Sequence, residues 1–259
     1  MPPECLMLFH ALKSLNISEC PNITTTPDHD FPCLENLSVI SVKRGGVLLE
    51  KICNKNLGSL TSLKLGHISD VTRLPERLLY DNQCLLNLEE VTTVSVLFLD
   101  ISRCPNLRSL PKGGISSLSH LTHLSIGPFS DQVDFASFCE IFQGIGQLQL
   151  LETLTLTGWQ QFESLPDELQ HLLSLSFFEL CDFGIEALPE WFGNLSHLES
   201  LHLRGCKRLR HLPSKEAMKR LTKLQRLFVS ECPLLREACN NPADNSERDK
   251  ISHIPCIVV

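Results

Sequence analysis

Twelve cysteines and ten histidines give this sequence its widest chemical range. A cysteine can attack, ligate a metal or form a disulfide, and a histidine can move protons near neutral pH. Both uses need fixed spacing. No Cys-x-x-Cys pair occurs, so a zinc ribbon or thioredoxin-type centre lacks its pattern. Twelve cysteines in 259 residues are too few for a disulfide-stapled scaffold. Cys20, Cys104, Cys206 and Cys232 instead share one position of a repeated frame, so the frame sets their spacing. They are expected to be buried turn residues, because apolar surroundings raise a thiol pKa and leave it inert. His120 and His123 lie close together, and His202 could approach Glu179 and Arg226 on adjacent strands. The first pair has no cysteine or carboxylate fixed beside it by the repeat, and the second shows no converging catalytic geometry. No catalytic, cofactor or metal residue is assigned, and the chain is expected not to be an enzyme.

The frame that must position any site is clearest at Leu198–Pro213, LESLHLRGCKRLRHLP. With Leu198 as position 1, leucines fall at positions 1, 4, 6, 12 and 15, cysteine at 9 and proline at 16. Copies start at Leu12, Leu34, Leu60, Val96, Leu121, Leu151, Leu175, Leu198 and Leu224, with six of the eight gaps between 22 and 26 residues. That period is the signature of a leucine-rich repeat. Positions 4 to 6 alternate inward, outward, inward and predict a short strand. Positions 9 and 12 turn the chain inward, and proline at 16 ends the turn because it fixes φ and donates no hydrogen bond. Segments 167–175, 190–198 and 214–224 should return as helical turns, and 131–148 suits a helix. Lys43-Arg44-Gly45-Gly46 is expected to make a turn. The seventh copy runs one residue short before Ile185, Leu188 and Pro189.

Each unit can bury its apolar edge only against the next. The predicted fold is therefore an α/β leucine-rich-repeat solenoid, or horseshoe, with a parallel concave β-sheet and short helices or irregular turns on the convex side. Residues 1–239 form the expected array of about nine repeats, and residues 240–259 a C-terminal tail or cap. Residues 1–11 are too short for an N-terminal cap, so the first repeat should expose an apolar edge. No stretch of about 18 apolar residues predicts a membrane span, and the start lacks the pattern of a secretory leader. The net charge of −7 disfavours nucleic acid as a partner. Residues 204–226 depart from that balance, with nine basic residues against Glu216 alone. Their bland reading is a solvated face, on which Lys215, Lys219 and Lys223 recur every four residues. The sharper one is docking to an acidic protein surface.

The outward strand positions are the candidate binding surface. Phe98, Phe177 and Phe228 are expected to be exposed among polar neighbours, as interface anchors are. Glu179 accompanies Phe177, and His202, Arg204 and Arg226 accompany Phe228.

CPNLRSLP (104–111), LPEWFGNLSHLESLHLRGCKRLRHLP (188–213), LTKLQRLFVSECPLLREAC (221–239) and the ending DKISHIPCIVV resemble the leucine-rich-repeat domain of plant coiled-coil nucleotide-binding (NBS-LRR) disease resistance proteins, in their C-terminal part. Plant cell-surface receptors instead carry LxGxIP after the strand, and no copy here does. The resemblance implies a protein-recognition and autoinhibitory domain of an intracellular plant immune receptor acting in effector-triggered defence. It implies a protein ligand, either a pathogen effector or a host guardee, together with a nucleotide-binding switch domain. The GxxxxGK[ST] phosphate loop of that switch domain does not occur here, so the chain looks like the sensor portion alone. A cytoplasmic or nucleocytoplasmic location follows, in keeping with unpaired cysteines. Against it stand the glycosylation sequons at Asn16, Asn22, Asn36 and Asn194, which would suit an extracellular ectodomain. The alternative function is the substrate-recognition module of an F-box-type ubiquitin ligase.

Overall fold

The computed structural model describes residues 11–20, 31, 33–54, 57, 59–75, 78, 97–110, 113–241 and 246–259. Residues 1–10, the Asn22 sequon, the repeat start at Val96 and Pro111 lie outside them. The chain divides into two compact units, Met1–His123 with Gly127–Ile141, and Leu124–Ile126 with Phe142–Val259. The first unit carries β1 (Ser14–Ser18), β2 (Asn36–Ile40), β3 (Ser62–Gly66) and β4 (Phe98–Ser102). β5 (His123–Gly127) spans the division. The second unit carries β6 (Thr153–Trp159), β7 (Phe177–Phe183), β8 (Ser200–Arg204), β9 (Arg226–Ser230) and β10 (Cys256–Val258).

Within each unit the strands pair in parallel with like positions opposite: Leu15 with Leu37, Leu37 with Leu63, Leu63 with Leu99 in the first, and Leu154 with Phe178, Phe178 with Leu201, Leu201 with Leu227 in the second. This register needs a fixed entry to each strand, and the backbone supplies it. The carbonyl at position 2 accepts from both positions 2 and 3 of the next repeat. Glu35 O takes the amides of Thr61 and Ser62 at 2.8 and 3.0 Å, and Glu199 O those of Gln225 and Arg226 at 2.9 and 3.0 Å. The strands consequently run from position 3 to at least position 7, wider than the apolar alternation alone predicts.

The core follows the frame. Leu37, Val39, Leu63, Leu65, Leu99 and Ile101 are buried in the first unit, and Leu154, Leu156, Phe178, Leu180, Leu201, Leu203, Leu227 and Val229 in the second. Each such side chain contributes ~1.5–3 kcal/mol by leaving water. Leu12 and Leu15 are only half-buried, because β1 has a described strand on one side alone. Position 9 is also core: Ile68, Cys104, Trp159, Phe183, Cys206 and Cys232 are buried, but Cys20, expected to be buried with them, is only half-buried on the first repeat.

Position 8 holds a feature that apolar patterning does not show. Glu19, Ser41, His67, Arg103, Asp182 and Glu231 all have φ between 51 and 58°, and Gly158 and Gly205 occupy the same position at 78 and 65°. This left-handed residue swings the chain out of the strand so that position 9 can point inward.

The return segments differ in kind. Gly45 begins α1 (Gly45–Cys53), where a turn was expected. The reason is tertiary: Asp70 of the next repeat accepts the Gly46 amide at 3.0 and 3.1 Å, satisfying a helix N-terminus that has no local cap. α2 (Phe135–Ile141) falls in the segment expected to be helical. Asp167–His171 and Glu190–Asn194 are 3-10 turns. α3 (Lys215–Arg220) is capped by Ser214, whose Oγ accepts from the Ala217 amide at 3.2 Å. Lys223 lies past its end, so the expected lysine row reduces to Lys215 and Lys219. α4 (Pro233–Asn240) starts with proline, which needs no amide partner there.

The tail is built into the second unit. α5 (Ser246–Ile251) carries Glu247, which is buried; its Oε2 accepts the Leu212 amide at 2.9 Å, and its Oε1 lies 3.1 Å from His211 Nδ1 and 2.8 Å from Lys250 Nζ. Lys250 also donates to Leu212 O at 3.0 Å. This clasp places β10 against β9, where Cys256, Ile257 and Val258 pair with Arg226, Leu227 and Phe228.

Candidate functional site

The outward face of β7–β10 gathers six of the seven residues singled out from the sequence, because register aligns positions 3, 5 and 7 into rows. The position 5 row runs Thr155, Glu179, His202, Phe228 and Val258. The position 3 row runs Thr153, Phe177, Ser200, Arg226 and Cys256. Arg204 stands at position 7, opposite Cys181 and Ser230.

His202 is the centre of this face. Its ring lies 4.8 Å from that of Phe177 and 4.7 Å from that of Phe228, edge-on to both at 64 and 66°. Edge-to-face packing sets the positive rim of one ring against the negative face of the next. Three half-buried rings thus form one aromatic surface across three strands. Burial lowers the His202 pKa from its ordinary 6.5; Glu179 opposes that shift and Arg226 adds to it. Ser200 Oγ sits 3.1 Å from Nε2, and a neutral ring can accept that hydroxyl. Near neutral pH the surface is therefore aromatic and uncharged at its middle. Glu179 stands to one side and Arg226 to the other.

Val258 extends the row beyond Phe228 and is 52% exposed. It was missed in the sequence because the tail carries no copy of the repeat; the run of β-branched residues at its end was the available signal. Phe98 belongs to the first unit. It is half-buried on β4, 5.9 Å from the His123 ring, with the Lys64–Asp100 ion pair (3.3 Å) alongside at position 5. Asp100 and Ser200, both outward by pattern, are buried.

Part of the basic run is occupied. Arg208 pairs with Glu163 at 3.1 Å and Glu186 at 2.6 Å, and Arg204 and Lys207 lie 3.7 and 3.8 Å from Glu231. Arg220 donates to Gly193 O and Glu190 O, both at 3.4 Å, tying one return segment to the previous one. These exposed pairs are worth little individually. Among the described residues, no group of three His, Cys, Asp or Glu side chains is arranged to hold a metal, and no helix is long and apolar enough to cross a membrane.

No family model matches the chain. Curated proteins do. A 167-residue stretch is 32% identical to TMV resistance protein N of Nicotiana glutinosa, and 163 residues are 29% identical to disease resistance protein RPP2A of Arabidopsis thaliana; these cover 64 and 62% of this chain but 13 and 10% of those proteins. A 154-residue stretch, 56% of this chain, is 29% identical to a Caenorhabditis elegans protein named for RNA binding, over 19% of its length. The chain thus spans under a fifth of these relatives. Among solved structures, the leucine-rich-repeat domain of the type III effector XopL superposes with a TM-score of 0.50 at 20% identity over 74% of this chain and 58% of that one. Human trophoblast glycoprotein gives 0.51 at 19% identity over 86 and 78%. The chain is a leucine-rich-repeat protein of α/β class, and its sequence is similar to several plant disease resistance proteins.

Proposed function

We propose that this chain is the protein-recognition part of an intracellular plant immune receptor, and that the β7–β10 face docks the partner. The observation that carries the reading is the Phe177–His202–Phe228 ladder, which presents three rings as one surface with Glu179 and Arg226 beside it. Aromatic and arginine side chains at the centre of a face are the usual source of binding energy. The likeness to disease resistance proteins supplies the setting: a pathogen effector or host guardee as ligand, and restraint of a nucleotide-binding switch domain as the output. Thiols spent as buried turn residues favour a reducing compartment, cytoplasmic or nucleocytoplasmic. The net charge of −7 argues against RNA as the ligand.

The test is quantitative pull-down from leaf extract with the wild-type chain and with the double variant Phe228→Ala/Arg226→Glu. Losing one such anchor costs ~2 kcal/mol, about 30-fold in affinity. Proteins held by the wild type should fall by at least that factor, with circular dichroism unchanged. Equal recovery would remove this face from recognition. Retention of ubiquitin-ligase subunits by both chains would favour the F-box reading instead.

A further inference from the structure

Cys206 and Cys232 occupy position 9 of successive repeats, two residues beyond the paired Arg204 and Ser230. Adjacent parallel strands run about 4.8 Å apart, within the roughly 4.4–6.8 Å between α-carbons that a disulfide spans. Cys206 is the group that acts most strongly on the Cys232 thiol. Each thiol donates to carbonyls, Cys206 Sγ to Arg204 O at 3.5 Å and Leu180 O at 3.8 Å, and Cys232 Sγ to Ser230 O at 3.4 Å and Leu203 O at 3.6 Å. No other position 9 cysteine has such a neighbour. Cys104 falls between Ile68 and Phe129 in the frame.

The two thiols are not equivalent. Cys232 is the N-cap residue of α4 and has Lys207 nearby. Donation from Cys206, then the Lys207 charge, draw its pKa down against burial and Glu231. Helix N-termini and adjacent cations favour thiolate in this way. Cys206 is pushed upward by donating to Cys232 and by its burial. Cys232 also lines a cavity of about 510 Å³ with Lys207, Glu231, Pro233, Arg236 and Asn240, ample for a small oxidant. Cys206 does not line it. Cys232, itself only 2% exposed, is therefore the thiol at the cavity wall, and Cys206 is set back from it.

We propose that Cys232 and Cys206 are a peroxide-responsive pair, Cys232 the attacked thiol and Cys206 the resolving one. The Cys232 thiolate attacks a peroxide oxygen, the O–O bond breaks, and with one proton from solvent the products are the Cys232 sulfenic acid and water. The Cys206 sulfur then attacks the Cys232 sulfur, its S–H proton leaves with the hydroxyl as a second water, and a disulfide joins the two repeats. Two electrons pass from two thiols to one peroxide. Intracellular disulfides are commonly of this transient, sensing kind.

The experiment treats the reduced full chain with hydrogen peroxide, blocks remaining thiols by alkylation, and maps peptides without reduction. A Cys206–Cys232 crosslink should form, reverse with dithiothreitol, and accumulate at least ~10-fold faster than oxidation of Cys104 or Cys239, whose pKa burial raises to about 11. In Cys206→Ser, dimedone should trap Cys232 as the sulfenic acid, and Cys232→Ser should leave Cys206 reduced. The wild-type map needs no substitution, so it decides the matter even if a variant folds poorly. Recovery of both as free thiols while exposed Cys256 is oxidised would overturn the proposal. So would a Cys232 sulfenic acid that persists in the wild type, or a crosslink to a different cysteine.

Discussion

Gly184 lets one methyl group probe the stacking. Its repeat is a residue short just here, and the missing residue brings the turn onto the preceding one. A Cβ at Gly184 would collide with the carbonyl oxygen of Gln160, and would lie 2.7 Å from its carbonyl carbon and 3.2 Å from Phe162 O. All three atoms are backbone of the neighbouring repeat, so no side-chain rotation relieves them. Gly66 is the contrast: its added Cβ would meet Ser102 O and Oγ at 3.5 Å, ordinary contact. Overpacking a rigid site costs ~1–3 kcal/mol, occasionally more, and a backbone obstruction belongs at the top of that range. Gly184→Ala should therefore lose about 3 kcal/mol, against a gain of ~0.4–1 kcal/mol from a stiffer unfolded chain at a compatible site such as Gly66. With a urea slope of ~2–3 kcal/mol/M for a chain of this size, the midpoint should fall by ~1 M or more. The assay is urea unfolding followed by far-ultraviolet circular dichroism and by tryptophan fluorescence. Both tryptophans, Trp159 and Trp191, lie in the second unit, and the Trp159 ring is 5.8 Å from that of Phe183. A Gly184→Ala midpoint no lower than that of Gly66→Ala would refute the stacking of these turns.

Other expectations are briefer. Leu203→Asp puts a charge at a fully buried position of β8 and should unfold the second unit, read as loss of the tryptophan transition. Glu247→Ala leaves the Leu212 amide and Lys250 without their buried acceptor, costing ~3 kcal/mol; hydrogen exchange at β10 should accelerate while that at β7 holds. His202 should titrate by NMR below 6.5. A base with a depressed folded pKa favours folding at higher pH, so its contribution is complete above about 6.5 and is lost as pH falls from there through the lowered value. Glu190, whose pKa is lowered chiefly by the Ser214 hydroxyl, behaves as an acid: its contribution is present above about 4.5 and lost as pH falls through its lowered value. Ser214→Ala should remove most of that pH dependence and cost ~1 kcal/mol as a lost helix cap.

Legibility in the sequence follows the range of the interaction. Leucines at positions 4 and 6 announce the core because burial is written into a periodic pattern, and Phe177, His202 and Phe228 could be brought together because register makes position arithmetic into geometry. The α1 helix was not legible: its start depends on Asp70, 24 residues away. β10 was not legible either, since its place depends on Glu247 reaching Leu212 rather than on a repeat. The asymmetry between Cys206 and Cys232 arises from α4, Lys207 and the action of Cys206 on Cys232, none of which the shared position 9 encodes. Only Gly158 and Gly205 hinted at the left-handed residue, because the other repeats fill that position with residues that tolerate it poorly.

That left-handed column has a practical consequence. Each of Glu19, Ser41, His67, Arg103, Asp182 and Glu231 carries a Cβ in a conformation costing ~1–2 kcal/mol relative to the right-handed region. Exchange for glycine at the sites without a salt bridge or cavity role, such as Glu19 and Ser41, offers a route to a more heat-resistant protein that leaves the core and the aromatic face untouched. The gain is the released strain less the ~0.5–1 kcal/mol of added chain entropy.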